Sequence, residues 1–169
     1  MSDSTPKRIH TLSVLVNNQP GVLMRISQVF ARRGFNMDSV VVSEGRDPKF
    51  SRMTIGISGD PSRLDQIIKQ VTKLVDVIHC FEHTKADAVA KELLLVKFLA
   101  GPKERTDALN IIDHFAGKTV DLTPTSMVAM IVGNSSKVDA ALSMFTSQFD
   151  VIETVRTGKV VMARGEQAT

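Results

Sequence analysis

Residues 53–78 of this 169-residue chain recur as residues 127–152 at a constant offset of 74, without a gap. Nine of the 26 aligned positions are identical, pairing Met53 with Met127, Ile57 with Ile131, Gly59 with Gly133, Ser62 with Ser136, Asp65 with Asp139 and Thr72 with Thr146, and ending on Asp-Val-Ile in both copies. A unit used twice restricts architecture more than any other property of the sequence, because each copy must bury the same face against the same kind of neighbour. Two similar modules are expected, each of roughly 80 residues, a size at which a domain can still hold its own core.

The pattern within each copy gives the order of elements. Alternation of Leu12, Val14 and Val16 marks a strand, and Val22, Ile26, Val29 and Phe30 trace one face of a helix that Gly34 ends. Two β-rich segments, 36–44 and 50–58, flank the turn-forming run Gly45-Arg46-Asp47-Pro48-Lys49, which predicts a hairpin. Leu64, Ile67, Ile68, Val71, Leu74 and Val75 form the strongest helical stripe, and 77–83 closes the set as a strand. The second copy repeats the order with strands at 93–99, 119–122, 127–132 and 151–155 and helices through Ala108–Phe115 and Val138–Phe145, and a short strand at 159–163 is read as its extension. The predicted fold is α+β, two ferredoxin-like βαββαβ units in tandem. Expected boundaries are a flexible N-terminus 1–8, a first domain 9–84, a linker 85–90, a second domain 91–165 and a flexible tail 166–169.

Composition narrows the class of function. With 43% hydrophobic and 23% charged residues and no apolar run near the roughly 20 residues of a membrane helix, no membrane association is expected. No apolar leader precedes the first strand, so a cytoplasmic location is expected. A net charge of +3 and a pI near 9.2 raise the question of nucleic acid, but the basic residues are scattered among acids. The chain also lacks Trp and Tyr, the usual stacking platforms, so no nucleic-acid partner is expected. Cys80 is the single cysteine, which excludes an internal disulfide and a multi-cysteine zinc site.

The candidate site is the junction Asn18-Gln19-Pro20-Gly21-Val22-Leu23, which joins the first strand directly to the first helix. Gly21 permits close backbone approach, and the free N–H groups of a helix start favour an anion such as a carboxylate. No side chain of this run can act as acid, base or nucleophile, so the loop is expected to hold a small molecule rather than transform it. A sheet covered on one face leaves edges that invite a second copy. If two first modules pair side by side, residues 18–23 of one can face Asn36 and Met37 of the other. The Asn36 carbonyl oxygen would then accept from an ammonium group, so neutral dipoles match both ends of a zwitterionic amino acid. Val22, Leu23 and Met37 would face its side chain, which suits a small aliphatic one. The second module carries Ala100-Gly101-Pro102-Lys103-Glu104-Arg105 at the equivalent junction, bringing charge where the first has neutral amides.

No catalytic residue and no metal site is expected. His79 and His83 share a strand face about 13 Å apart, too far for one metal, and His10 and His114 stand apart from them. No phosphate loop or nucleophile elbow is present.

The run from Leu12 to Leu23, followed by Arg32-Arg33-Gly34-Phe35-Asn36-Met37-Asp38-Ser39-Val40, closely resembles the N-terminal ACT domain of the regulatory (small) subunit of acetohydroxyacid synthase, also called acetolactate synthase. Ser51-Arg52-Met53-Thr54-Ile55, Lys73-Leu74-Val75-Asp76-Val77, Glu92-Leu93-Leu94-Leu95-Val96-Lys97 and Val120-Asp121-Leu122-Thr123-Pro124-Thr125 are similar to that family in order and spacing. The resemblance implies an ACT-domain homodimer that binds no cofactor itself and activates a large catalytic subunit carrying thiamine diphosphate, Mg and FAD. It also implies feedback inhibition of that subunit by valine, with leucine or isoleucine as possible effectors, in branched-chain amino-acid synthesis. Matched by motif, Asn18, Gln19, Pro20, Gly21, Val22 and Leu23 form the loop side of the effector site, with Asn36 and Met37 on the facing strand. The alternative is a tandem ACT-type amino-acid sensor acting on a different enzyme or on a transcription factor.

Overall fold

A computed structural model describes residues 9–83 and 86–169. The expected flexible segment 1–8 and the first linker residue, 85, lie outside the described residues. The chain packs as two units, one formed by the residues up to Val89 together with Gly158–Thr169, the other by Ala90–Thr157.

The first unit contains strand β1 (Ile9–Asn17), helix α1 (Val22–Arg32), strands β2 (Asn36–Glu44) and β3 (Phe50–Ser58), helix α2 (Leu64–Thr72) and strand β4 (Val77–His83). Its antiparallel sheet has the order β2-β3-β1-β4, so β2 and β4 are its edges. Leu12, Val14 and Val16 of β1 and Met53, Ile55 and Ile57 of β3 point to one face because side chains alternate along a strand. Val22, Ile26 and Phe30 of α1 and Leu64, Ile67 and Val71 of α2 complete that core at helical spacing. The stripe foreseen through position 75 stops earlier. α2 ends at Thr72, and while Leu74 still packs on the core, Val75 is 94% exposed because it lies in the turn to β4, outside the helical period.

The second unit holds strand β5 (Ala88–Leu99, which begins in the first unit), helix α3 (Arg105–His114), strands β6 (Lys118–Leu122) and β7 (Ser126–Gly133), helix α4 (Ser135–Gln148) and strand β8 (Asp150–Arg156). Its sheet has five strands: four in the order β6-β7-β5-β8, that of the first unit in equivalent positions, and a further short strand, residues 160–163, that pairs with β5. The sequence repeat has a structural counterpart: Met53 and Ile57 in β3, like Met127 and Ile131 in β7, are buried core residues. The position after the repeated glycine caps the following helical segment in both copies, Asp60 accepting from the Ser62 N–H and Asn134 from the Lys137 N–H. Buried Glu92 is satisfied by Arg156, whose guanidinium also donates to Asp139 at 2.6 Å.

Two expectations about boundaries change. β5 starts at Ala88, so the backbone is already extended in the latter part of the expected linker. The last segment, residues 158–169, is grouped with the first unit, while its strand β9 (Val160–Ala163) pairs with β5 and so extends that sheet as expected. Three contacts hold it there. Gly158 lies against Ser39 and Val41 of β2, where an added Cβ would stand 3.0–3.1 Å from their side chains; the Arg164 N–H donates to the Asp87 carbonyl at 2.9 Å; and Arg52 donates to the Thr169 carbonyl at 3.1 Å. Thr169 is buried, so residues 166–169 do not end as a free tail.

Candidate functional site

The β1–α1 junction is built around Gly21, which takes φ +82°, the left-handed conformation that glycine adopts without penalty. It occupies the N-cap of α1, and no side chain caps that helix. The N–H groups of Val22, Leu23 and Met24 are those a helix cannot satisfy internally, and they mark the positive end of its dipole. The loop before Gly21 is pinned to its neighbours. The Asn18 N–H donates to the Lys49 carbonyl at 2.8 Å and its Nδ2 to the Pro48 carbonyl at 3.0 Å, while the Gln19 N–H bonds the Asn17 carbonyl at 2.9 Å. Asn18, Gln19 and Pro20 are exposed.

Val22 differs from the expectation. Its side chain is 3% exposed and belongs to the core beneath the loop, because the first helical position must turn inward for Ile26 to reach the sheet. Only its backbone is available to a ligand. Leu23, on the opposite side of the turn, is 39% exposed. Asn36 is exposed at the start of β2, and its Nδ2 donates to Asp38 Oδ1 at 2.8 Å, which orients the amide and leaves its oxygen as an acceptor. Met37 is half-buried and packs against the core.

Within one copy these two groups of residues are far apart. Asn17 pairs with Phe50 at one end of β3, and Asn36 pairs with Ser58 at the other. Eight residue steps along a strand span about 27 Å. A single unit therefore does not bring the loop and Asn36 together.

The fold brings one charged group to the loop that its local sequence does not signal. Arg25, one turn into α1, leans back toward the helix start, so that a Cβ placed on Gly21 would lie 3.0 Å from its Nη1. Its Nε donates to Asp76 Oδ2 at 2.9 Å and its Nη2 donates to the same oxygen. Asp76 is 51 positions away, so spacing alone carried no signal; the charge pair Arg25/Asp76 could have been found only with the β1–β4 pairing known.

The equivalent junction of the second unit is filled from within. The Gly101 N–H donates to Glu104 Oε2 at 3.0 Å, and Arg105 donates to the Thr123 carbonyl. A separate concavity of about 340 Å³ at the far end of α1 is lined by Arg32, Arg33, Arg63, Gln66 and Ile67 and includes none of the loop residues.

Burial pushes the Cys80 thiol up to about 12, so it stays protonated at neutral pH. His79 and His83 flank Phe81 on one strand face, with ring centroids 5.0 and 4.9 Å from it. Among the described residues no group of three or more His, Cys, Asp or Glu side chains is placed to hold a metal, and no helix is long and apolar enough to cross a membrane.

Comparison with known proteins agrees with the architecture in both halves. Residues 12–79 match the family model of the AHAS small subunit-like ACT domain, and residues 91–165 match that of the small subunit of acetolactate synthase. The chain is 38% identical over 165 residues to the acetolactate synthase small subunit of Mycolicibacterium smegmatis, covering 98% of this chain and 95% of that one. It is 38% identical over 156 residues to the Haemophilus influenzae acetolactate synthase small subunit, covering 92% and 96%. The crystal structure of the acetolactate synthase small subunit from Thermotoga maritima superposes with a TM-score of 0.83 at 34% identity, covering 95% of this chain and 99% of that chain. With the two-module fold, an ACT domain first, and this likeness along nearly its whole length, the chain belongs to the acetolactate synthase small-subunit family.

Proposed function

We propose that this chain is a regulatory subunit that activates the catalytic subunit of acetolactate synthase and confers feedback inhibition by valine, serving branched-chain amino-acid synthesis. The effector binds at the Gly21 loop of the first unit, between two copies of the chain. Thiamine diphosphate, Mg and FAD belong to the catalytic partner, and this chain contributes no reacting group.

The observation that carries the reading is the polarity of the first sheet. The Gly21 loop and Asn36 sit at opposite ends, and edge strand β2, with Val40 and Val42 exposed, runs between those ends. An antiparallel, two-fold pairing of β2 with β2 of a second copy sets the Asn36 end of one chain beside the Glu44 end of the other. That end is also where the loop lies, since Glu44 pairs with Ser51 and Asn17 with Phe50. Two equivalent sites arise, each with a loop from one copy and Asn36 and Met37 from its partner. The edge strand gains the partner it lacks in the single chain.

Inhibition requires the effector to bind the inhibited arrangement of the complex more tightly than the active one, by a coupling of typically about 1–3 kcal/mol. The pocket distinguishes aliphatic side chains differing by one methylene by only about 1–3 kcal/mol, so leucine and isoleucine are weaker effectors rather than excluded ones. The test is reconstitution with the catalytic subunit. Its acetolactate-forming activity is expected to rise on adding this chain and to fall again with valine, less with leucine and isoleucine. Activity indifferent to both the chain and the amino acids refutes the reading.

A further inference from the structure

We propose that Arg25 gives the bound effector's carboxylate a charged contact and that Asp76 aims it. This inference rests on the effector-site reading above. Side chains on a helix lean toward its start, and Arg25 thereby brings its guanidinium beside Gly21, with Nη1 3.0 Å from the point a Cβ would occupy there. The Nε and Nη2 edge is spent on Asp76 Oδ2, whereas Nη1 donates to none of the described residues. Asp76 is itself fixed, since its backbone carbonyl accepts the Asn17 N–H at 2.8 Å, at the strand end that launches the loop.

A cation beside the positive end of a helix dipole is poorly placed by itself. Asp76 compensates it on one side and leaves the other side turned to the loop. A guanidinium can serve two carboxylates at once through separate N–H groups. An effector carboxylate over Gly21 would therefore complete an Asp76–Arg25–effector series of alternating charge, with the effector's ammonium directed away toward the partner copy. The loop is not read by neutral dipoles alone.

Calorimetric titration of valine into the intact chain and into R25Q and R25K variants tests this, with a thermal melt of each. R25Q is expected to raise the Kd about 10- to 100-fold, the range for losing a hydrogen bond to a charged group, with R25K between it and the parent chain because it keeps the charge but not the fork. A Kd for R25Q within about threefold of the parent overturns the proposal. So does an R25K variant no better than R25Q while melting like the parent, since charge then plays no part and Arg25 only staples α1 to Asp76. If R25Q does not fold, R25K is judged against the parent: a Kd raised more than about threefold supports the proposal, and one within about threefold overturns it. Absence of saturable heat with the parent chain, seen before any substitution, is the distinct failure of the effector-site reading itself.

Discussion

Replacing Gly21 by Asp tests the loop most directly, because the structure separates two effects of the change. The first is conformational. At φ +82° a residue with a Cβ pays about 1–2 kcal/mol, toward the lower end for Asp, and about 1 kcal/mol lowers the melting temperature of a domain this size by about 4–8 °C. The second is electrostatic. The new Cβ points at Arg25 Nη1, so the introduced carboxylate takes the position assigned to the effector's own. Two carboxylates about 4 Å apart at an effective dielectric of about 20 repel by about 4 kcal/mol, roughly three orders of magnitude in Kd. G21D is therefore expected to abolish valine inhibition of the reconstituted enzyme while leaving activation in place, as the core below the loop is untouched. G21N carries the same strain without the charge and should lose much less valine affinity. Full valine sensitivity in G21D, or equal losses in G21D and G21N, would show that charge at this corner is not what the effector reads.

Val42→Lys places a charge on the β2 edge, where Val42 is 45% exposed in the single chain; sedimentation should show the dimer dissociating and calorimetry should show valine binding lost with it, while the unit's own stability moves by no more than about 0.5 kcal/mol. Cys80, its thiol pushed up to about 12 by burial, should resist iodoacetamide at neutral pH in the folded protein and react once denatured, as mass spectrometry would record. Burial holds His79 and His83 below the usual histidine range, Arg52 adding to this for both and Asp87 opposing it for His83. The unfolded chain then binds protons more readily than the folded one, so this contribution to stability is intact above the ordinary value of 6.5 and is lost as pH falls below it. Melting temperatures should drop between about pH 7.5 and pH 5.5, and less so in a H79Q/H83Q variant.

The strands of the first hairpin were legible to the residue, 36–44 and 50–58, because alternation on either side of the Gly45-Arg46-Asp47-Pro48-Lys49 turn leaves little choice of register. The helix stripe of α2 was legible only up to Thr72. Leu74 and Val75 continue the apolar pattern in sequence, but the chain has already left the helix, and no local signal separates a core contact from an exposed turn residue there. The loop itself was visible from Pro20-Gly21 preceding an amphipathic run. The inward turn of Val22 was not, since facing depends on where the sheet lies.

The sequence by itself determined the two-module plan, the order of elements and the uncharged strand-to-helix junction at Gly21, because periodicity, glycine and caps act over a few residues. Tertiary structure alone decided that Arg25 meets Asp76 beside Gly21, that residues 158–169 return to the first unit, and that the loop and Asn36 stand at opposite ends of β3. These depend on strand order and on contacts between residues 51 or more positions apart, and loop-closure entropy grows so slowly with length that sequence distance gives no warning of which distant residues will touch.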